Sequence, residues 1–277
     1  MKRFLLCVFC VLALCANTSS ASAAAIYQVD RKDLSVNAGL DKNVQNILML
    51  LQDQQSGAST SAMLLASINK STGRAVMVSL VPDVLVDMPL AGEQPLCDAY
   101  MLGGVNLAMK TVNEIYGMNV QQFAVIDVGS FGDIVDILDG MHIALNGEEA
   151  AALGLEAGDQ TLNAEQTMQY MRMDSTDPSV SRPYKCIMQL LYQATRDKDP
   201  GKLMSLGGKL LGALEETNLG VFDLIGLATP VMGSKEEREE LMIPAPQTLT
   251  PLEWNGRALY QMDTQAAKQL LHETIYQ

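Results

Sequence analysis

The segment LQDQQSGASTSA, residues 51–62, follows an apolar run, Val44–Leu51, that reads as a buried strand. A loop at the end of a buried strand is a favoured place for binding or catalysis. This loop holds one charge, Asp53, among Gln54, Gln55, Ser56, Ser59, Thr60 and Ser61, so it offers hydrogen bonds and a single carboxylate. Elsewhere the familiar constellations fail. The two histidines, His142 and His272, each lie in an apolar pattern without the partners of a triad or metal site, and read as structural. No Cys/His spacing suits zinc, and no phosphate-binding glycine loop follows a strand; Gly103-Gly104 alone is a weak signal. The 17 methionines fit adaptable core packing better than a lipid tunnel, and KEEREE (235–240) reads as a solvated loop.

The elements that must position Asp53 follow from pattern. Lys2 and Arg3 precede a 13-residue apolar run, Phe4–Ala16, and then Ala21-Ser22-Ala23. This is the order of a secretory signal peptide over residues 1–23, with an uncleaved membrane anchor as the alternative. Residues 24–43 read as a loose lead-in, and residues 44–277 as one domain. Without residues 1–23 the chain keeps 17 Lys and Arg against 32 Asp and Glu, a net charge near −15. That balance excludes nucleic acid as a main partner. Between Ala75 and Met171 the only Lys or Arg is Lys110. Three of the five cysteines fall in the leader, leaving Cys97 and Cys186.

The pattern predicts strands at 62–68 and 75–81 joined by the NKSTGR turn. Asp98 is expected to cap a helix to Tyr116, interrupted at Gly103-Gly104. Strand Phe123–Val128 leads to a helix capped by Ser130 and ended by Gly140, and MHIAL is another strand. Helices follow at 163–173, 183–196, 201–216 and 221–232, then strand 240–244 and a last helix capped by Asp263. The class is α/β: a single α-β-α domain with a mixed central sheet covered by helices.

The ordered series AMLLASINKSTGRAVMVSLVPDVLVDMP, DAYMLGG, FAVIDVGSFGDIVDILDG and AGDQTLNAEQTMQYMR resembles the LytR-CpsA-Psr family, from about Val44 to the last helix. Its members are envelope proteins that transfer glycopolymers from polyprenyl-diphosphate carriers to peptidoglycan, with magnesium at the diphosphate. The resemblance implies an apolar pocket for the polyprenyl chain. It also assigns residues. Asp53 matches the acid that ends the first strand, but the Arg expected next is absent at Gln54 and Gln55. The Arg-Ser-Asp-Thr positions read Ser59, Thr60, Ser61 and Ala62. Asp83 is kept from the Pro-Arg-Asp motif, with Pro82 in the Arg position, and the Lys of the next motif falls at Pro95. Tyr170 and Arg172 match, whereas the second Arg of that motif is Asp174. Arg182 matches, Lys185 keeps the charge, and Cys186 replaces a Gln.

Phosphoryl transfer depends on cations that clamp phosphate oxygens, each charge-assisted contact typically contributing ~1.5–3 kcal/mol. The loss of so many predicts weak or lost phosphotransferase activity. Asp53, Asp83, Arg172 and Arg182 are the catalytic candidates if activity remains. Arg172, Arg182 and Lys185 are the candidates for holding an anionic group. Asp53 is a weak magnesium ligand, useful only with a phosphate beside it, because its paired acid is Ser61. Three readings stand: a protein binding a polyprenyl-phosphate lipid, a lipid-linked glycan or an envelope partner; an active transferase with altered chemistry; or an interaction protein whose pocket has closed. The resemblance implies a place outside the cytoplasmic membrane, secreted or anchored at its outer face. It also puts Cys97 and Cys186 at the border of one site, so a disulfide is expected there, with two buried free thiols as the alternative.

Overall fold

The computed structural model describes residues 28–53, 60–173, 182–196, 200–220, 223 and 241–276. The apolar leader, the middle of the Gln/Ser loop, the helix expected at 221–232 and the KEEREE segment lie outside these residues, Asp223 excepted. In chain order the strands are β1 (Val44–Gln52), β2 (Thr60–Asn69), β3 (Ala75–Leu80), β4 (Leu85–Met88), β5 (Gly92–Pro95), β6 (Gln122–Asp127), β7 (Met141–Leu145), β8 (Gly158–Leu162), β9 (Glu216–Thr217), β10 (Leu241–Ile243), β11 (Thr250–Trp254) and β12 (Arg257–Gln261). The helices are α1 (Ala99–Tyr116), α2 (Val128–Ile137), α3 (Gly147–Leu153), α4 (Ala164–Met171), α5 (Arg182–Arg196), α6 (Pro200–Gly212) and α7 (Thr264–Tyr276).

Six strands form the central sheet in the order β10-β3-β2-β1-β6-β9. It is mixed, as expected: β1 runs antiparallel to β2 and parallel to β6, and β10 runs parallel to β3. The sequence of β1, VQNILMLLQ, is nearly continuous in apolar residues because both of its faces are covered. Leu48 and Leu50 pack in the layer that holds α1 and α7, while Ile47, Met49 and Leu51 pack in the layer that holds α2, α4 and α5. This is the α-β-α arrangement, and the buried methionines, such as Met49, Met63, Met109 and Met242, sit in these cores. Strands β1, β3, β6 and β10 all end at one edge of the sheet, which therefore carries Asp53, Asp83 and Asp127.

Local expectations hold at the β2–β3 turn, where Gly73 has φ 74 and the Asn69 side chain accepts from the Ser71 and Thr72 amides. They hold at α7, whose first turn is capped by Asp263 through the Ala266 amide. The break in α1 is real: Gly104 has φ 65 and ψ −168, a conformation open almost only to glycine. Four expectations need correction. Asp98 makes no cap, because its carboxylate is drawn to Arg257. Asp127, not Ser130, caps α2 by accepting from the Gly129 amide. The helix from 200 stops at Gly212, and Glu216–Thr217 turns back as a sheet strand.

The fourth correction concerns the lead-in. Its described part, from residue 28, is docked rather than loose: Leu34 is buried, and Asn106 and Asn113 of α1 donate to the Val29 and Leu34 carbonyls. Lys110 is buried there, paired with Asp33 at 3.1 Å and Glu114 at 3.3 Å. The β4–β5 and β11–β12 hairpins were not signalled by their short, weakly alternating sequences.

Candidate functional site

The sheet edge carries two clusters. In the first, Asp53 leaves β1 with a side chain 8% exposed, and Arg172, which caps the end of α4, reaches it. The Arg172 Nε and Nη2 donate to the two carboxylate oxygens at 3.1 and 3.4 Å. One residue on, the Met173 carbonyl accepts from Arg182 Nη1 at 3.1 Å. Arg182 opens α5, lies over the Tyr170 ring at 5.7 Å and pairs with Glu149 at 3.5 Å. Tyr170 donates its hydroxyl to the same carboxylate at 3.2 Å, and burial, with Glu149 beside it, pushes its phenol up. Asp53, Arg172, Arg182 and Tyr170 are thus brought into one chain of contacts.

Each of the two matched arginines carries its own protein carboxylate. Glu149 was not singled out from sequence, although Asn146-Gly147-Glu148-Glu149 has the spacing of a capping box, and the box is formed. Lys185 is exposed on α5 and lies outside this chain.

The second cluster holds Asp83. Its carboxyl faces the Cys97 thiol at 3.7 Å, and Arg257 of β12 donates to Cys97 Sγ at 3.3 Å and to Asp98 at 2.7 Å. Burial pushes the Asp83 carboxyl above its ordinary range, with Cys97 and Arg257 offsetting only part of the rise. Burial also pushes the Cys97 thiol up, as it does Cys186, so neither is poised as a nucleophile. Arg257 was missed because only the fold brings a residue of the last hairpin to this corner.

The expected disulfide is not formed. Cys97 and Cys186 are both buried and free. Cys186 points from α5 into the core, whereas Cys97 stands in the cluster of Asp83 and Arg257, so each thiol has its own surroundings. His142 bonds Thr161 and His272 bonds the Tyr116 carbonyl, both structural contacts.

Among the described residues, the oxygen donors that the resemblance assigns to magnesium are engaged by protein groups. Asp53 is engaged by Arg172, and Ser61, at the position of the paired acid, donates to the Leu51 carbonyl. No group of three Asp, Glu, His or Cys with metal-holding geometry occurs among the described residues.

On the same face of the sheet as Tyr170, an apolar cavity of about 70 Å³ lies between the sheet and α2, α5 and α6, lined by Met49, Ile126, Phe131, Ile187, Leu190 and Leu210, among others. No helix of the described residues is long and apolar enough to cross a membrane.

Comparison with known proteins places this geometry. The polyisoprenyl-teichoic acid–peptidoglycan teichoic acid transferase TagU of Oceanobacillus iheyensis is 27% identical over 148 residues, 50% of this chain and 46% of that protein. The chain thus spans less than half of that relative. The regulatory protein MsrR of Staphylococcus aureus is 27% identical over 246 residues, covering 83% of this chain and 74% of its own length. The crystal structure of Bacillus subtilis TagT superposes with a TM-score of 0.70 at 21% identity, over 90% of this chain and 99% of that one. A TagT structure with bound octaprenyl pyrophosphate lipid gives 0.68 at 22% identity, with the same coverage of 90% and 99%. The family model of the LytR_cpsA_psr family matches residues 10–275, and the chain belongs to that family.

Proposed function

We propose that this chain acts outside the cytoplasmic membrane, secreted or anchored at its outer face, and binds a polyprenyl-phosphate lipid or lipid-linked glycan with phosphotransfer weakened or lost. One observation carries the reading: the matched arginines, Arg172 and Arg182, are each held by a carboxylate of the protein, Asp53 and Glu149. An arginine neutralised in this way can still donate to one anionic group, because a guanidinium has five N–H donors. It supplies much less of the positive field that stabilises charge moving onto a leaving phosphate. The apolar cavity on the same face of the sheet supports a lipid ligand, of the class of the octaprenyl pyrophosphate bound in the TagT structure. The cavity is small, so a long chain requires α5 and α6 to part from the sheet. Magnesium enters, on this reading, only with the phosphate oxygens of the ligand, alongside Asp53.

The test is a pair of assays on the purified chain. Binding of a polyprenyl monophosphate in detergent micelles is expected to weaken in both Arg172→Ala and Arg182→Ala. Lys70→Ala, an exposed charge on the β2–β3 turn, is expected to match the wild type. A glycopolymer transfer assay with magnesium is expected to give turnover several orders of magnitude below that of an active relative. Equal binding by all variants removes the anion site from the account. Transfer at the relative's rate establishes an active transferase instead.

A further inference from the structure

Glu149 stands where a ligand's negative charge would be expected. It is buried, it comes from the first turn of α3, and its carboxylate meets Arg182 at 3.5 Å and the Tyr170 hydroxyl at 3.2 Å. Its other oxygen accepts from the Asn146 amide at 3.2 Å, closing the capping box. Arg182 does not depend on Glu149 alone for its place. Its Nη1 donates to the Met173 carbonyl, its guanidinium lies over the Tyr170 ring, and its side chain is 14% exposed. Removing the charge of Glu149 therefore leaves the guanidinium held but with one counter-charge fewer.

We propose that Glu149 is an internal counter-ion that sets the affinity of the Arg182 site for phosphate head groups, a positioning and specificity residue rather than a catalytic one. This rests on the reading of Arg182 as an anion-binding residue. A phosphate approaching Arg182 meets the repulsion of a buried carboxylate and must share or displace it. The repulsion grows with the charge of the head group, so Glu149 favours a lipid diester or monoester, at about one to two negative charges, over a more highly charged free diphosphate.

The substitution that tests this is Glu149→Gln. Glutamine serves the same capping-box position: its single carbonyl oxygen accepts from the Asn146 amide, its NH2 takes the place of the oxygen that faces Tyr170, whose hydroxyl can turn to accept from it, and the negative charge is removed. Binding of polyprenyl monophosphate and of inorganic pyrophosphate is measured by titration for the wild type, Glu149→Gln, Arg182→Ala and the double variant, with thermal melts confirming that each is folded. Glu149→Gln is expected to bind the lipid phosphate about tenfold more tightly and pyrophosphate by a larger factor, with both gains absent in the double variant. A purely structural role for Glu149 gives no such gain and no such coupling to Arg182. Unchanged or weaker binding in Glu149→Gln, where the wild type and Arg182→Ala still differ, overturns the role of Glu149 alone. Indifference of all four proteins to both ligands overturns it together with the anion site.

Discussion

At the level of single residues, the candidate site is defined less by what was lost than by what fills the gap. Arg172 and Arg182 could be picked out by their motif positions, and Asp53 by its place after a buried run. Their partners could not: Arg172 meets Asp53 across 119 positions of chain, and nothing local records such a contact. The pair predicts a measurable cost. Arg172→Ala leaves the Asp53 carboxylate buried, but Arg172 is 43% exposed and water screens the pair, so the expected loss is about 1 kcal/mol in urea unfolding. The thiols predict a count. Denatured without reductant and alkylated, the chain of residues 24–277 is expected to take two labels, for Cys97 and Cys186, and a disulfide would give none. Asp83 predicts a slope. Burial holds its native carboxyl above the ordinary aspartate range, so the folded state keeps a proton that the unfolded state releases. Stability attributable to Asp83 therefore falls as pH rises from the ordinary aspartate value through the raised native one. Asp83→Asn is expected to flatten that part of the curve of unfolding free energy against pH.

Secondary-structure elements follow the sequence where its pattern is strong and depart where tertiary contacts compete. The run Val44–Leu51, the Asn69 turn and the Asp263 cap are all present, since apolar period and turn chemistry act locally. The cap assigned to Asp98 failed because an arginine from β12 offered its carboxylate a charged partner. The lead-in reads as loose because its polar residues show no periodicity, yet Lys110 and Asn113 of α1 bind its backbone. Gly104 is the element-scale test. At φ 65 and ψ −168, a Cβ meets no atom within 4 Å, so the strain of Gly104→Ala is that of the backbone itself. The expected cost is about 1–3 kcal/mol, read as a lowered urea midpoint with an unchanged slope.

For the whole molecule, the mixed sheet between two helical layers was readable from the alternation of patterns, as was the family from the order of its motifs. The edge at which β1, β3, β6 and β10 end gathers Asp53, Asp83 and Asp127, and two of the clusters there are closed by residues from the second half of the chain, Arg172 and Arg257. That closure exists only in three dimensions, which is why Asp53, Asp83 and Arg172 were legible one by one while their pairings, and Arg257, were not. On the proposed function, the molecule still holds an isoprenoid phosphate while doing little chemistry on it. Native mass spectrometry of the chain exported into a bacterial envelope and extracted in mild detergent tests this directly. The expected spectrum holds a population heavier than the protein by one polyprenyl-phosphate species, reduced in Arg182→Ala. Protein carrying no lipid, from cells whose carrier lipid is abundant, would contradict it.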